Sequence, residues 1–203
     1  MNTIYTIGHS VYEIDYFINL LNKYEINLVL DVRSIPYSKH TPQFNRELIK
    51  KSLENKGIRY EFFGDVFGAR QKDHALFNEE GILDFVKFKE LDSFKEALNK
   101  VIENINLLNI VIMCSEKEPL DCHRSILISK AFSNHGVEVY HILDNGELES
   151  HKSLENRLLD CYGFPQKTQV SLDFFKEEKE INYLKKAYKM RNRDIGYVFF
   201  QNK

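Results

Sequence analysis

Four short runs dominated by apolar and β-branched residues constrain this chain most: Thr3–Ile7, Asn27–Val32, Asn109–Met113 and Val137–Ile142. Their length and composition read as buried strands. Ile58–Phe63, preceded by Gly57 as a helix stop, reads as another. Between them lie helical patterns. Glu13–Tyr24 carries Ile14, Phe17, Ile18 and Leu21 on one face, and Asn45–Asn55 and Ser93–Leu108 follow. A further helix opens after Asp121, the expected N-cap, and a weaker helical pattern covers Gly81–Leu91. Gly64–Asn78 reads as irregular. Strands alternating with helical crossovers predict an α/β fold with a mainly parallel sheet flanked by helices in three layers.

Charge divides the chain. From Gln166 onward nine Lys and Arg face five Asp and Glu, net +4, which leaves −6 on residues 1–165. The expected organisation is therefore an α/β domain over 1–165 and a basic helical extension over 166–203, with Leu172–Lys189 as one exposed helix. The overall charge of −2 gives no bulk attraction to nucleic acid or anionic membrane. No apolar run approaches the roughly 20 residues that span a bilayer. Met1 leads directly into a strand-like run without a signal-type segment. The expectation is a cytoplasmic protein with no membrane partner. Three cysteines, an odd number, do not suggest a disulfide scaffold.

Chemistry gathers at strand ends. Gly8-His9-Ser10 ends the first, Asp31-Val32-Arg33 the second, and Cys114 through Arg124 follows the central one. In a parallel sheet these ends share an edge, where open α/β sheets place ligands. Asp31 and Arg33, two residues apart, point to one side and form either a structural ion pair or an anion contact. Cys114 suits a nucleophile presented to a cleft. Cys122, near a helix N-terminus with His123 and Arg124, has reason to ionise, although Asp121 opposes it by repulsion. Metal binding is the other reading. The C-x7-C-H spacing is longer than structural zinc sites use, so His9 or His141 would complete a ligand set of Cys114, Cys122 and His123 around a divalent metal. Buried, inert cysteines are the bland third option. Arg70, in Gly64-x3-Gly68-Ala69-Arg70, is a candidate anion contact from a loop over the cleft. Tyr183, Lys185, Lys186, Tyr188, Lys189, Arg191 and Arg193 offer a basic, aromatic stretch for nucleic acid, or simply a helix whose late basic residues suit its dipole.

Thr6-Ile7-Gly8-His9-Ser10, Asp31-Val32-Arg33-Ser34-x-Pro36-x-Ser38 and Cys114-x-Glu116-x5-Cys122-His123-Arg124 together resemble the domain of unknown function 488 family. Tyr60, Gly64, Gly68 and His141-Ile142 fit it too, so the resemblance covers roughly residues 3 to 163. It implies a single α/β domain whose function is not established and whose two cysteines have been suspected of catalysis or metal binding. A weaker resemblance is to rhodanese-like sulfurtransferases, through Asp31-Val32-Arg33 and Cys114…Arg124-Ser125 in the same order. It implies a Rossmann-like or rhodanese-like sheet. C-x9-R is longer than the rhodanese loop, and Glu116, Glu118 and Asp121 put negative charge where an anion cradle needs bare N–H groups. A phosphatase is disfavoured.

These readings converge on a thiol-dependent enzyme of the sulfur-transfer or redox type acting on a small or anionic molecule. Cys114 is the expected nucleophile, Cys122 a resolving thiol, and His123 or His9 a proton carrier. Ser10, Arg33, Ser38, Arg70 and Arg124 are expected around the substrate, with Asp31 holding Arg33 and Glu116 orienting an arginine. The rival is a non-catalytic metal- or nucleic-acid-binding module built on the same cysteines and on residues 183–193.

Overall fold

The computed structural model describes residues 2–166 and 174–199, the backbone alone over 174–181. Its frame is a six-stranded sheet: β1 (Thr3–Gly8), β2 (Leu28–Asp31), β3 (Arg59–Phe62), β4 (Ile110–Cys114), β5 (Glu138–Ile142) and β6 (Leu148–Ser150). The order across the sheet is β3-β2-β4-β1-β5-β6, and every pairing is parallel except β5 with the edge strand β6. Among the described residues no helix is long and apolar enough to cross a membrane.

Alternation along the strands builds two cores. Leu28, Leu30, Ile110, Ile112 and Cys114 point to one face, Val29, Val111 and Met113 to the other. Helices α1 (Ile14–Lys23) and α2 (Arg46–Glu54) cover the second face through Phe17, Leu21, Ile49 and Leu53. The first face is covered by α5 (Asp92–Asn104), by the helix of residues 124–134 and by α7 (His151–Cys161), together with part of α8 (Phe174–Ile195). Gly57 adopts φ +75° after α2, a left-handed conformation that glycine takes without penalty, so it ends the helix as its position implies.

Several local expectations differ from the fold. The Gly64–Asn78 stretch contains the single-turn helix α3 (Gly64–Phe67), and Gly81–Leu91 yields only the single turn α4 (Phe85–Phe88), capped by Asp84. Asp121 is not an N-cap. It ends a 3₁₀ turn, Pro119–Asp121, whose capping side chain is Glu118. The helix that follows begins as a π segment, Arg124–Ser129, and becomes α6 (Lys130–Asn134). Cys122 is extended, and its Sγ accepts the Arg124 backbone N–H at 3.5 Å, so the thiol stands where an N-cap side chain stands. Strand β6 and helix α7 were not anticipated. Helix α8 is also not simply exposed, because Leu184 and Ala187 are buried against the body. The expected start of that helix, 172–173, lies outside the described residues.

Register then fixes the site. Gly8 pairs with Cys114 and Asp31 with Met113, so the residues after β1, β2 and β4 emerge side by side. His9 and Ser10 are tied to this edge by backbone bonds to Cys114 O and Ser115 O, each 2.9 Å.

Candidate functional site

Cys114 ends β4 on its first-face side, and the loop after it returns Cys122 and His123 to the same spot. The Sγ atoms of Cys114 and Cys122 each lie 3.9 Å from His123 Nδ1. Among the described residues the donor atoms of Cys114, Cys122 and His123 all fall within 4.8 Å of one another. His123 Nε2 faces the Val32 carbonyl at 3.2 Å. A carbonyl only accepts, so Nε2 carries hydrogen and Nδ1 faces the sulfurs, with a lone pair when the ring is neutral and with an N–H when it is protonated. Glu116 stands beside this group, with Oε2 at 3.0 Å from both sulfurs.

This is an electrostatically crowded place. Both cysteines are buried, and Arg124 is fully buried with no carboxylate among the described residues bonded to it. Its Nη atoms donate to Glu116 O at 2.6 Å and Lys117 O at 3.2 Å, which fastens the loop. The two thiols move apart in acidity. The hydrogen bond to Cys122, then burial, holds Cys114 well above the ordinary thiol range. Burial would raise Cys122 too, but the bond from Cys114 and the charges of Arg124 and His123 outweigh it and hold Cys122 well below. Burial lowers His123, yet the Cys122 sulfur wins and raises it. Burial and Cys122 together raise Glu116. Two thiolates and a carboxylate at these spacings cannot all stay charged without a cation, so the cluster either keeps protons or takes one.

Beside the cluster a cleft of about 370 Å³ opens at the strand ends, lined by His9, Ser10, Arg33, Ser38, Glu116 and Lys117 among others. Glu116 stands between this cleft and the sulfurs, which do not line it. Ser10 sits at φ +48°, a left-handed conformation uncommon outside glycine, at the cleft wall. Ser38 Oγ accepts the backbone N–H groups of His40 and Thr41, at 3.1 and 3.3 Å, and so shapes the opposite rim.

Arg33 is largely spoken for. Its Nε and one Nη grip the two Asp31 oxygens at 2.9 and 2.6 Å, the same Nη reaches Phe44 O at 2.9 Å, and the other meets His9 Nε2 at 3.0 Å. One Nη hydrogen of the five guanidinium hydrogens is left for a ligand. Tyr60 donates to Asp31 Oδ2 at 2.6 Å, so the carboxylate is shared. Of the two readings of Asp31 and Arg33, the structural ion pair describes this geometry, and the bond to Phe44 O makes the pair a clamp on the loop. His9 accepts from Arg33, gives its Nδ1 hydrogen to Ser10 O at 2.8 Å and stacks on Phe44. Burial and Arg33 lower it to about 4, so it is neutral at neutral pH with both nitrogens engaged.

The structure does not bring every expected residue here. His141 lies on β5, bonded to Thr6 and His151 and away from the cysteines, and His9 is committed as above, so neither completes the ligand set. The loop of Arg70 folds the other way. Its N–H is held by Ser34 Oγ at 2.8 Å, and its guanidinium lies over the Tyr197 ring, outside the cleft. In the basic stretch, Tyr188 and Arg191 bond to the body, Arg193 pairs with Glu80, and Tyr183 stacks on Phe164. Its aromatic rings are turned to intramolecular packing rather than to bases. Ser115, Lys117, Thr41 and Tyr37 line the cleft without having been singled out. For Ser115 and Lys117 the signal was their place inside the Cys114–Glu118 segment.

A family model described as Domain of unknown function DUF488 matches residues 13–131. That span holds both cysteines, His123, Arg124 and the Asp31–Arg33 clamp. It stops short of His9, Ser10, His141 and helix α8. No curated protein and no solved structure matches the chain.

Proposed function

The chain belongs to the family described as Domain of unknown function DUF488, and from that premise we propose that it carries a divalent-metal centre of the zinc type at the floor of a small-molecule cleft. Cys114, Cys122 and His123 are the ligands, and Glu116, within hydrogen-bond reach of both sulfurs, flanks them on the cleft side. One observation carries the reading: two sulfurs lie equally far from an imidazole nitrogen whose ring partner is already fixed by a backbone carbonyl. A histidine ligand is characteristically oriented in this way through its second nitrogen. Zinc–sulfur and zinc–nitrogen bonds of about 2.3 and 2.0 Å place S and N roughly 3.5 Å apart across a tetrahedral ion. The observed 3.9 Å needs only a small contraction. A metal here supplies the cation that the crowded anions need, and it offers Lewis-acid chemistry toward a molecule in the cleft. Ser10, Ser38, Lys117 and the spare Arg33 hydrogen would orient that molecule. Three free cysteines fit a reducing, cytoplasmic setting.

A second reading is favoured by one specific observation, the opposed acidities of Cys122 and His123. In it the protein is a thiol-dependent enzyme of the sulfur-transfer or redox type. Cys122 rather than Cys114 is then the attacking thiolate, His123 its proton partner, and Cys114 the resolving thiol. The same experiment decides between them. Zinc is titrated into chelator-treated protein, and alkylation of each cysteine is followed by peptide mass spectrometry. The metal reading expects one zinc per chain, lost in C114S and C122S, with both thiols silent until chelator is added. No zinc uptake, together with rapid alkylation of Cys122 at neutral pH, would establish the thiol reading in its place.

A further inference from the structure

Helix α8 lies outside the segment matched by the family, yet it reaches the loop that delivers Cys122. That loop is the turn Pro119–Asp121, held internally by Asp121 N–H to Glu118 O and Cys122 N–H to Pro119 O, both 3.2 Å. Such a short turn does little to fix itself. Arg191 of α8 ties the turn from outside, because its Nε donates to Leu120 O at 3.0 Å and its Nη2 pairs with Asp121. The ion pair also answers an electrostatic problem. Asp121 precedes Cys122, and its charge would oppose a thiolate or a metal-bound sulfur pair unless a cation cancels it.

The helix is itself seated firmly enough to act this way. Leu184, Ala187, Tyr188 and Arg191 fall at i, i+3, i+4 and i+7, one face of a helix. Leu184 and Ala187 are buried. Tyr188 ends a chain of buried hydrogen bonds running from the central strand: Thr6 Oγ1 to His141 Nδ1 at 2.7 Å, His141 Nε2 to His151 Nδ1 at 3.1 Å and His151 Nε2 to Tyr188 OH at 3.0 Å. The Tyr188 hydroxyl donates to Glu155 Oε1 at 3.1 Å, and Lys130 neutralises that carboxylate at 2.7 Å. Because the carboxylate only accepts, it sets the direction of every bond before it. Tyr188 gives its proton to Glu155 and accepts from His151, His151 accepts from His141, and His141 accepts from Thr6. One arrangement of hydrogens satisfies the whole chain, and it registers α8 on the sheet.

We infer that Arg191 is a positioning residue of the Cys114–Cys122–His123 centre, and that docked α8 thereby sets how tightly the centre holds its metal. The inference rests on the metal reading above. The test measures, in the full chain, the rate at which zinc passes to an excess of chelator and, separately, the alkylation rate of Cys122 in metal-free protein. Arg191→Gln should release zinc about tenfold faster, the lower end of what a supporting residue around a metal costs. At alkaline pH, where the thiolate forms with or without Arg191, it should also alkylate Cys122 faster, because the freed turn exposes the buried thiol. Arg191→Lys, which keeps the charge beside Asp121, should recover most of the retention. Arg193→Gln, one residue pair along and bonded to Glu80, should leave both rates at the wild-type value. Wild-type rates in Arg191→Gln, or equal loss in Arg193→Gln, would overturn the assignment. If the wild-type chain takes up no zinc, the metal reading fails by itself, and the alkylation rates alone decide whether Arg191 positions Cys122.

Discussion

Gly8 is a glycine because of space rather than backbone angle. A Cβ built there would lie 1.8 Å from Glu116 O and 3.2 Å from the Arg124 Nη2. The first contact is backbone, so no side-chain rotation relieves it. Gly8→Ala should therefore push the Ser115–Lys117 segment off the β1 edge and cost about 1–3 kcal/mol, the usual price of overpacking. Urea unfolding of the metal-free protein measures it, and a midpoint equal to wild type would show that the loop has room the structure denies. At this scale the sequence was readable where partners are close along the chain. Asp31 and Arg33, two apart, suggested their own pairing, and Cys122-His123-Arg124 suggested a charged thiol environment. It was not readable where partners come from afar. That His9 and Phe44 absorb Arg33, and that Tyr60 shares Asp31, follows from contacts 11 to 29 residues apart. Those contacts turn a free-looking anion binder into a loop clamp.

Among the elements, the four inner strands were legible because buried parallel strands are near-continuous apolar runs, and the edge strand β3 because Gly57 marks the helix stop before it. The misses have physical causes. Leu148-Glu149-Ser150 is a three-residue edge strand, too short to show alternation. Helix α7 buries His151 and Glu155 along with its leucines, so its apolar period is diluted by polar residues that are satisfied only in the folded state. Gly81–Leu91 shrinks to one turn because Leu91 is extended, with ψ 137°, and α5 starts afresh after it. Helix α8 was visible as a helix, but its docking was not, since Tyr188 and Arg191 look like surface residues until His151 and Leu120 are placed. Tyr188→Phe isolates that docking. It strands a buried imidazole N–H and removes the donor to Glu155, a loss of about 1–3 kcal/mol. Amide exchange over 184–195 should quicken in the variant while α1 and α2 keep their protection. Unchanged exchange in α8 would mean that Leu184 and Ala187 hold it without the hydrogen-bond chain.

Over the whole molecule the two charge blocks meet rather than stay separate, with Arg191 on Asp121 and Arg193 on Glu80 drawing the basic C-terminal segment onto the acidic body. A larger electrostatic consequence comes from histidines buried without charge. Burial and Arg33 lower His9 to about 4, burial lowers His151 to about 4, and burial with His151 lowers His141. Unfolded, each would bind a proton near its ordinary value of about 6.5. Between pH 6.5 and 4 the unfolded chain therefore holds more protons than the folded one. The stability these groups contribute is fully present above that window and falls as pH drops through it, by up to about 1.4 kcal/mol per pH unit for each histidine. His123 runs the other way. Its raised value favours the folded state at low pH and loses that contribution as pH rises through the folded value. Metal-free protein should therefore unfold at progressively lower urea as pH falls from 6.5 toward 4. His151→Gln, which cannot titrate, should flatten that dependence by one proton's slope whatever it does to absolute stability. An equal slope in variant and wild type would show that His151 contributes none of the acid sensitivity, because only a group that titrates differently folded and unfolded can bend the curve.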